Sequence, residues 1–315
     1  MDDHIKRGGP TLRQLELLLT LVSSDGIASA GARLGLTPSA TSHALKALEQ
    51  AVGAQVIDRN APGVKLTHAG EQVLPHARDV FASLQLMRAS ASASAGLKTG
   101  FLKIGSHGVS SSLNVLPPIV DSFRRLYPGV EIFVTERADV EIERELMERR
   151  MELGVVALPK PDLDVHLLAV DELLAVLPIG HPLAEEDKVP VKALADYPFV
   201  MTHAGSQPVI AKMFSQANIK PKVAHDLSQI LSILEFVRRG QGISVLRALV
   251  LPLDFGGLVY RRIHPTATRR VGLACLDERR LSPPARAFWT HVRESAATRR
   301  GRVQEAHVQS LISLG

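Results

Sequence analysis

A single cysteine, Cys275, stands in 315 residues. One thiol can build neither an intrachain disulfide framework nor a thiolate metal cluster, which fits a reducing cytoplasm. Aromatics are sparse, with one Trp and three Tyr. No stretch supplies the roughly 18 apolar residues of a membrane span, and the start "MDDHIKRGGP" lacks the apolar core of a signal peptide. A cytoplasmic protein without a membrane partner is expected. The GxSxG elbow, the GxxxxGK phosphate loop, HExxH and the dinucleotide GxGxxG are missing too. Cys275 lies in an apolar strand pattern and reads as core, while "ERELMERR" at 143–150 reads as a solvated helix face. No enzyme is expected, with no catalytic residue, metal ligand or cofactor.

What is present suits a folded chain of two domains, one of them divided: 45% hydrophobic and 22% charged residues over this length. The net charge of +5 permits a polyanionic partner without demanding one. Residues 1–70 are nearly balanced, with Lys6, Arg7, Arg13, Arg33, Lys46, Arg59 and Lys65 against Asp2, Asp3, Glu16, Asp25, Glu49 and Asp58. A nucleic-acid reading therefore rests on where charges and hydroxyls are placed.

Leu12, Leu15, Leu18, Leu19 and Val22 recur at spacings of three and four, predicting a helix with one buried face over 11–22. A short helix is expected over 28–34, ended by Gly35. Thr37 then caps a third helix whose first position is Pro38. Along that helix Thr41, Leu45, Leu48 and Val52 share the buried stripe, leaving Ser39, Ser42, His43 and Lys46 on or near the open face. Two short helices joined by a tight turn, the second exposing small polar groups near its start, form a helix-turn-helix pattern. Short hydroxyl side chains let a backbone approach base edges, and Lys46 suits a phosphate. "VIDRNAPGVKLTHAG" reads as a wing hairpin turning at Pro62-Gly63 between Arg59 and Lys65, or as a plain solvated loop.

From Thr67 a long helical pattern carries Val73, Leu74, Ala77, Val80, Phe81, Leu84 and Met87, with Pro75 expected to kink it or mark its start. The stripe fits packing on its own domain or, since the polar "SASASAG" after it reads as a linker, dimerisation. Beyond Gly100, strands and helices alternate through "FLKIGS", "VEIFVTE", "ELGVVAL", "LLAVLP", "PFVMT", "PKVAHD" and "GISVLR". Alternation of this kind predicts two α/β lobes with a mostly parallel sheet and a cleft between them. "TRRVGLACLD" returns as a last strand to the first lobe, before a helix near 285–295.

The stretches "ASAGARLGLTPSATSHALKALEQAVGAQVIDR", "GVKLTHAGEQVLPHAR", "HPLAEEDKVPVKALADYPFV" and "ILEFVRRGQGISVL" together resemble the LysR-type transcriptional regulators, over about residues 10–295. The resemblance implies a winged helix-turn-helix over 1–66, a linker and dimerisation helix over 67–98, and an effector domain over 99–295 of the two-lobed, periplasmic-binding-protein-like α/β fold. A C-terminal extension over 296–315 lies past the family's usual end. Implied partners are double-stranded promoter DNA, a second copy as homodimer or dimer of dimers, RNA polymerase, and a small-molecule co-inducer. By the same carry-over Thr37, Pro38, Ser39, Ser42, His43 and Lys46 fall on the reading helix, with Arg59 at the wing. The chain departs from the pattern at Gly31, where Ala is common, at Val56-Ile57, where Leu-Phe is usual, and at Arg247, where Pro is common.

In an open α/β sheet, ligands bind beyond strand carboxyl ends, where helix N-termini present free amides. Three strand ends meet that description, Ser106-His107, Thr202 to Ser206, and Asp226 to Ser228, and the family's cleft uses the first two in particular. Ser106, His107, Thr202, His203 and Ser206 are the effector candidates, with Arg247 as a charged rim group. Each hydroxyl could equally be a helix cap. Two histidines among hydroxyls and helix ends favour a small organic anion.

Overall fold

The computed structural model describes residues 9–59, 61, 63–93, 99–203, 206–253, 255–299 and 302–313. Pro62 of the wing turn, residues 94–96 of the polar linker and residues 204–205 lie outside them. Contacts divide the chain into two units, one holding residues 1–91 and the other nearly all that follows.

In the first unit, α1 (Leu12–Val22) opens with a capping box: Thr11 Oγ1 accepts from the Gln14 amide while the Gln14 side chain accepts from the Thr11 amide. The buried side of α1 is Leu15, Leu17, Leu18 and Leu21. The expected stripe is therefore out of phase at its ends, since Leu12 and Val22 face solvent. A helix reading "LELLLTLV" offers apolar residues on several sides, and tertiary contact chooses among them. Then come α2 (Ile27–Arg33) and α3 (Pro38–Val52), separated by Gly35 at φ +69°, a left-handed turn that glycine adopts without strain. Strands β1 (Ile57–Asp58) and β2 (Lys65–Leu66) pair antiparallel as a small hairpin. Finally α4 (His68–Ala93) starts well before Pro75, which is thus internal, and runs into the stretch read as linker. Leu74 and Ala77 of α4 are buried with Leu18, Leu48, Val56 and Ile57, whereas Val80 and Met87 are exposed.

The second unit begins with β3 (Gly100–His107), α5 (Gly108–Ser110), a π turn at Ser111–Val115, α6 (Leu116–Leu126), β4 (Val130–Arg137), α7 (Asp139–Met147) and β5 (Leu153–Leu158). Strand β6 (Asp164–Pro178) is fifteen residues long, more than twice the expected "LLAVLP". After it come β7 (Lys188–Pro190), β8 (Pro198–Thr202), α8 (Gln207–Gln216), β9 (Lys222–Leu227), α9 (Ile230–Arg238) and β10 (Ser244–Arg247). The chain closes with β11 (Leu258–His264), β12 (Thr268–Cys275), α10 (Pro283–Arg299) and α11 (Arg302–Ser313).

Strand β6 explains the two lobes. Its first part, to Glu172, pairs with β12, which also pairs with β5 and so returns to the first lobe as expected. From Leu173 onward it pairs with β10 and β11 of the second lobe. All these pairings are antiparallel, whereas β3 with β4 and β5, β8 with β9, and β11 with β7 are parallel. The sheet is thus mixed and not mostly parallel: one long strand serves both lobes, and β10, β11 and β12 all run back along it. The second half of β6 is buried on both sides, with Leu173, Ala175 and Leu177 toward one core and Leu174 and Val176 toward another. Such a strand reads as a continuous apolar run.

Candidate functional site

Helix α3 presents a divided surface. Thr41, Leu45 and Leu48 are buried, Val52 partly so, and Ser39, Ser42, His43 and Lys46 lie on the open side. Thr37 caps the helix by accepting from the Ala40 amide at 3.3 Å, and its hydroxyl also lies 3.2 Å from Ser39 Oγ. Gly31 has a packing reason beyond its weak helix propensity: a Cβ there would overlap the Thr41 hydroxyl, which instead donates to the Thr37 carbonyl at 2.9 Å. Helices α2 and α3 therefore meet closely because one side chain is missing.

Glu49 was not singled out from sequence, yet it is buried at 8% exposure. One carboxylate oxygen accepts from the Val56 amide and the other from Arg59 Nη2 at 2.6 Å. It joins α3 to the hairpin. Arg59 is correspondingly half-exposed with one nitrogen committed to Glu49, while Lys65 lies exposed on β2.

In the second unit the candidates separate. Ser106 is fully buried, and its hydroxyl meets Ser112 Oγ at 2.7 Å, which in turn donates to Glu136. His107 ends β3, with Nε2 3.0 Å from Arg269 Nη1. A guanidinium only donates, so Nε2 is the unprotonated acceptor. Burial, and then the Arg269 charge, hold the His107 pKa below its ordinary value, against the opposing pull of Asp139. The remaining ring nitrogen, Nδ1, is buried without a hydrogen-bond partner among the described residues, 4.0 Å from Asp139 Oδ1.

Arg269 is the residue that sequence reading missed. From β12 it reaches His107, donates to Ser110 Oγ at 2.6 Å, and sets Nε and Nη2 on Asp171 Oδ2 at 3.2 and 3.0 Å. Asp171 is fully buried on β6, where burial raises its pKa while Arg269 and the Leu249 amide pull it back down. That amide donates to Asp171 Oδ1 at 3.1 Å. Strand β12 reads outwardly as an alternating "TRRVGLAC", so the signal was two adjacent arginines with only one able to face solvent.

Arg247 is not a rim group. It is 3% exposed, with Nη1 on the Asp171 and Ala267 carbonyls at 3.2 and 3.4 Å and Nε unpartnered among the described residues. Burial, followed by the Arg269 charge, lowers its pKa to about 10. It ends β10 directly before the Ala248–Val250 turn, which draws it inward toward the point where β6 passes between lobes.

Thr202 is buried at the end of β8, and Ser206 is buried at the N-terminus of α8. His203 is instead exposed and paired with Asp226 at 2.7 Å. Among the described residues, no group of three or more His, Cys, Asp and Glu side chains is placed to hold a metal, and no helix is long and apolar enough to cross a membrane.

Residues 12–71 match the bacterial regulatory helix-turn-helix of the lysR family, and residues 95–297 match the LysR substrate binding domain. The chain belongs to the LysR family of transcriptional regulators. It carries the family's helix-turn-helix DNA-binding domain and effector-binding domain, through which a small molecule modulates transcription. Similar proteins include the uncharacterized regulator YvbU of Bacillus subtilis, 27% identical over 88% of this chain and 96% of that one. ShiR of Corynebacterium glutamicum is 29% identical over 74% of this LysR regulator and 81% of its own length. In fold, a full-length OxyR variant from Pseudomonas aeruginosa aligns with TM-score 0.68 at 21% identity, covering 94% of this chain and 96% of that one. CbnR complexed with its target DNA aligns with TM-score 0.62 at 19% identity, covering 91% and 100%.

Proposed function

We propose that this LysR regulator reads promoter DNA with α3 and senses a small organic anion at the junction of its two lobes. Ser39, Ser42 and His43 face base edges, Thr37 and Pro38 start the helix against the backbone, and Lys46, Arg59 and Lys65 meet phosphates. It acts as a homodimer or dimer of dimers in the cytoplasm, contacts RNA polymerase, and catalyses nothing.

The observation that carries the effector reading is a charge imbalance. Two guanidiniums, Arg247 and Arg269, adjoin one buried carboxylate, Asp171, and His107 is held neutral between Arg269 and Asp139. Arg262 is matched by Glu172, and the more exposed Asp139, Glu143 and Glu136 outnumber Lys160, so the positive surplus is confined to the buried cluster of Arg247, Arg269 and Asp171. Poorly hydrated positive charge favours an anionic ligand, and a carboxylate suits a guanidinium fork. Ser106, Thr202 and Ser206 are the buried hydroxyls expected to orient it, while His203 serves at most from the exposed edge.

A thermal-shift screen of the whole chain tests this. Small carboxylates are compared with their amides, in the native protein and in Arg269→Gln. A ligand at about 100 times its dissociation constant adds roughly 2.7 kcal/mol. Shifts by carboxylates but not amides, lost in Arg269→Gln, are expected. Equal shifts by the amides would refute an anion site.

A further inference from the structure

Helix α11 begins at Arg302, past residue 297 where the match to the LysR substrate binding domain ends. Its placement is informative. The preceding helix α10 buries Ala285, Phe288, Trp289 and Val292 against Leu102 and Ile104 of the first lobe. By contrast, α11 buries Val308 and Leu311 among Leu174, Val176, Ile233 and Tyr260 of the second lobe. After passing between lobes at β6 and between β11 and β12, the chain therefore passes a third time through its C-terminal extension.

Two polar contacts fix α11 there. Arg261 Nη1 reaches the Ile312 carbonyl at 3.5 Å, in the last turn where helix carbonyls lack internal partners. His307 Nε2 lies 3.2 Å from the Ala248 carbonyl, and since a carbonyl only accepts, this nitrogen carries the proton. Ala248 opens the short turn Ala248–Val250. Within the same turn the Leu249 amide donates to Asp171, while its carbonyl accepts from Asn114 Nδ2 at 2.8 Å. Asp171 in turn holds Arg269, and Arg269 holds His107.

We propose that α11 is a positioning element for the effector site, with His307 fixing the Ala248–Val250 turn and thereby Asp171 and Arg269. It lies beyond the residues matched by the LysR substrate binding domain. It makes the geometry of the lobe junction depend on a C-terminal helix docked on the second lobe. The proposal rests on the reading of that junction as the effector site, but its test concerns the free protein, so the two can fail separately.

The test is amide hydrogen exchange in the full-length chain without ligand, read at Leu249, with Ile243 in the second lobe, whose core excludes α11, and Ile104 in the first as controls. His307→Leu should speed exchange at Leu249 by about tenfold or more while both controls stay within about twofold. His307→Gln, whose amide nitrogen can donate in place of Nε2, should restore the slow rate. A chain ending at Arg299 should show the same local acceleration, reversed by adding the peptide of residues 300–315. An unchanged Leu249 rate in both His307→Leu and the shortened chain would overturn the proposal. Acceleration spread equally over Leu249, Ile243 and Ile104 would overturn it too, marking α11 as a general stabiliser.

Discussion

Arg269 and Asp171 form a forked ion pair between β12 and β6, with two guanidinium nitrogens on one carboxylate oxygen at 3.0 and 3.2 Å. Asp171 is fully buried, and its second oxygen is satisfied by the Leu249 amide. Removing either partner strands the other charge inside the protein, which costs about 3–5 kcal/mol. Asp171→Asn and Arg269→Gln should each lower stability by that order in urea unfolding of the whole chain. The double variant should lose less than the sum of the two, because neither member of the pair is then left as a lone charge. Additive losses would show that the pair is not coupled.

The neutral state of His107 sets a direction with pH. Its folded pKa is lowered, chiefly by burial, so below the ordinary histidine pKa of about 6.5 the unfolded chain binds the proton more readily. The His107 contribution is therefore fully present above about pH 6.5 and is lost as pH falls toward the folded pKa. His166 and His181, also lowered by burial, act in the same direction. Comparing wild type with His107→Gln isolates one group: the gap in Tm between pH 7.5 and pH 5 should be smaller in the variant. An equal gap would remove His107 from the pH response.

Gly31 and Thr41 should behave as a coupled pair. On helix propensity alone, Gly31→Ala would gain up to about 1 kcal/mol. Overlap with the Thr41 hydroxyl reverses the sign, and overpacking of this kind costs about 1–3 kcal/mol. Thr41→Ala removes the hydroxyl and methyl and leaves only the Cβ contact at 3.0 Å, so adding Gly31→Ala should cost less there than in the native chain. A double-mutant cycle by chemical denaturation measures the coupling, and a value near zero would disprove the packing account.

The helical head and the α/β lobes were legible because their signals are local: Thr37-Pro38 and Gly35 mark helix ends, and the residues on the open side of α3 are those its periodicity separated from Leu45 and Leu48. The lobe junction was less legible. Hydroxyls at strand ends announce Ser106 and Ser206, but nothing near Arg247 in sequence says that it turns inward. Its neighbours Asp171 and Ala267 are distant along the chain. Arg269 was hidden for the same reason, since its partners His107, Ser110 and Asp171 come from β3, α5 and β6. Charge partnerships across a sheet depend on register, and β6 was read at under half its length.

Cys275 offers a contrast with proteins that use an accessible thiol. It is fully buried on β12, and burial, reinforced by Asp164 and Glu278, raises its pKa to about 12. A thiol reacts as the thiolate, so the folded chain should be inert. Incubation with iodoacetamide at pH 8 should leave the native protein unmodified and label it once on unfolding in guanidinium. Rapid labelling of the native chain would contradict this burial.

The reading helix separates position from identity in a way that salt resolves. Lys46 stands on the open side of α3 and is assigned to a phosphate, whereas Ser42 and His43 are assigned to base edges. Each phosphate contact contributes about 0.9 to the slope of log affinity against log salt. Lys46→Ala should therefore weaken binding to promoter and to unrelated DNA alike and flatten that slope by roughly one. Ser42→Ala with His43→Ala should leave the slope unchanged and reduce the preference for promoter over unrelated DNA, by about 1–3 kcal/mol for each well-made hydrogen-bonded pairing with a base that is removed. Glu49→Gln is a third case: it weakens the tie between α3 and the hairpin, so Arg59 loses its fixed placement and both preference and slope should fall. Fluorescence anisotropy on promoter and scrambled duplexes over a salt series reads all three. A steepened slope in Glu49→Gln would mean that Glu49 had been withholding Arg59 from the phosphates and not aiming it.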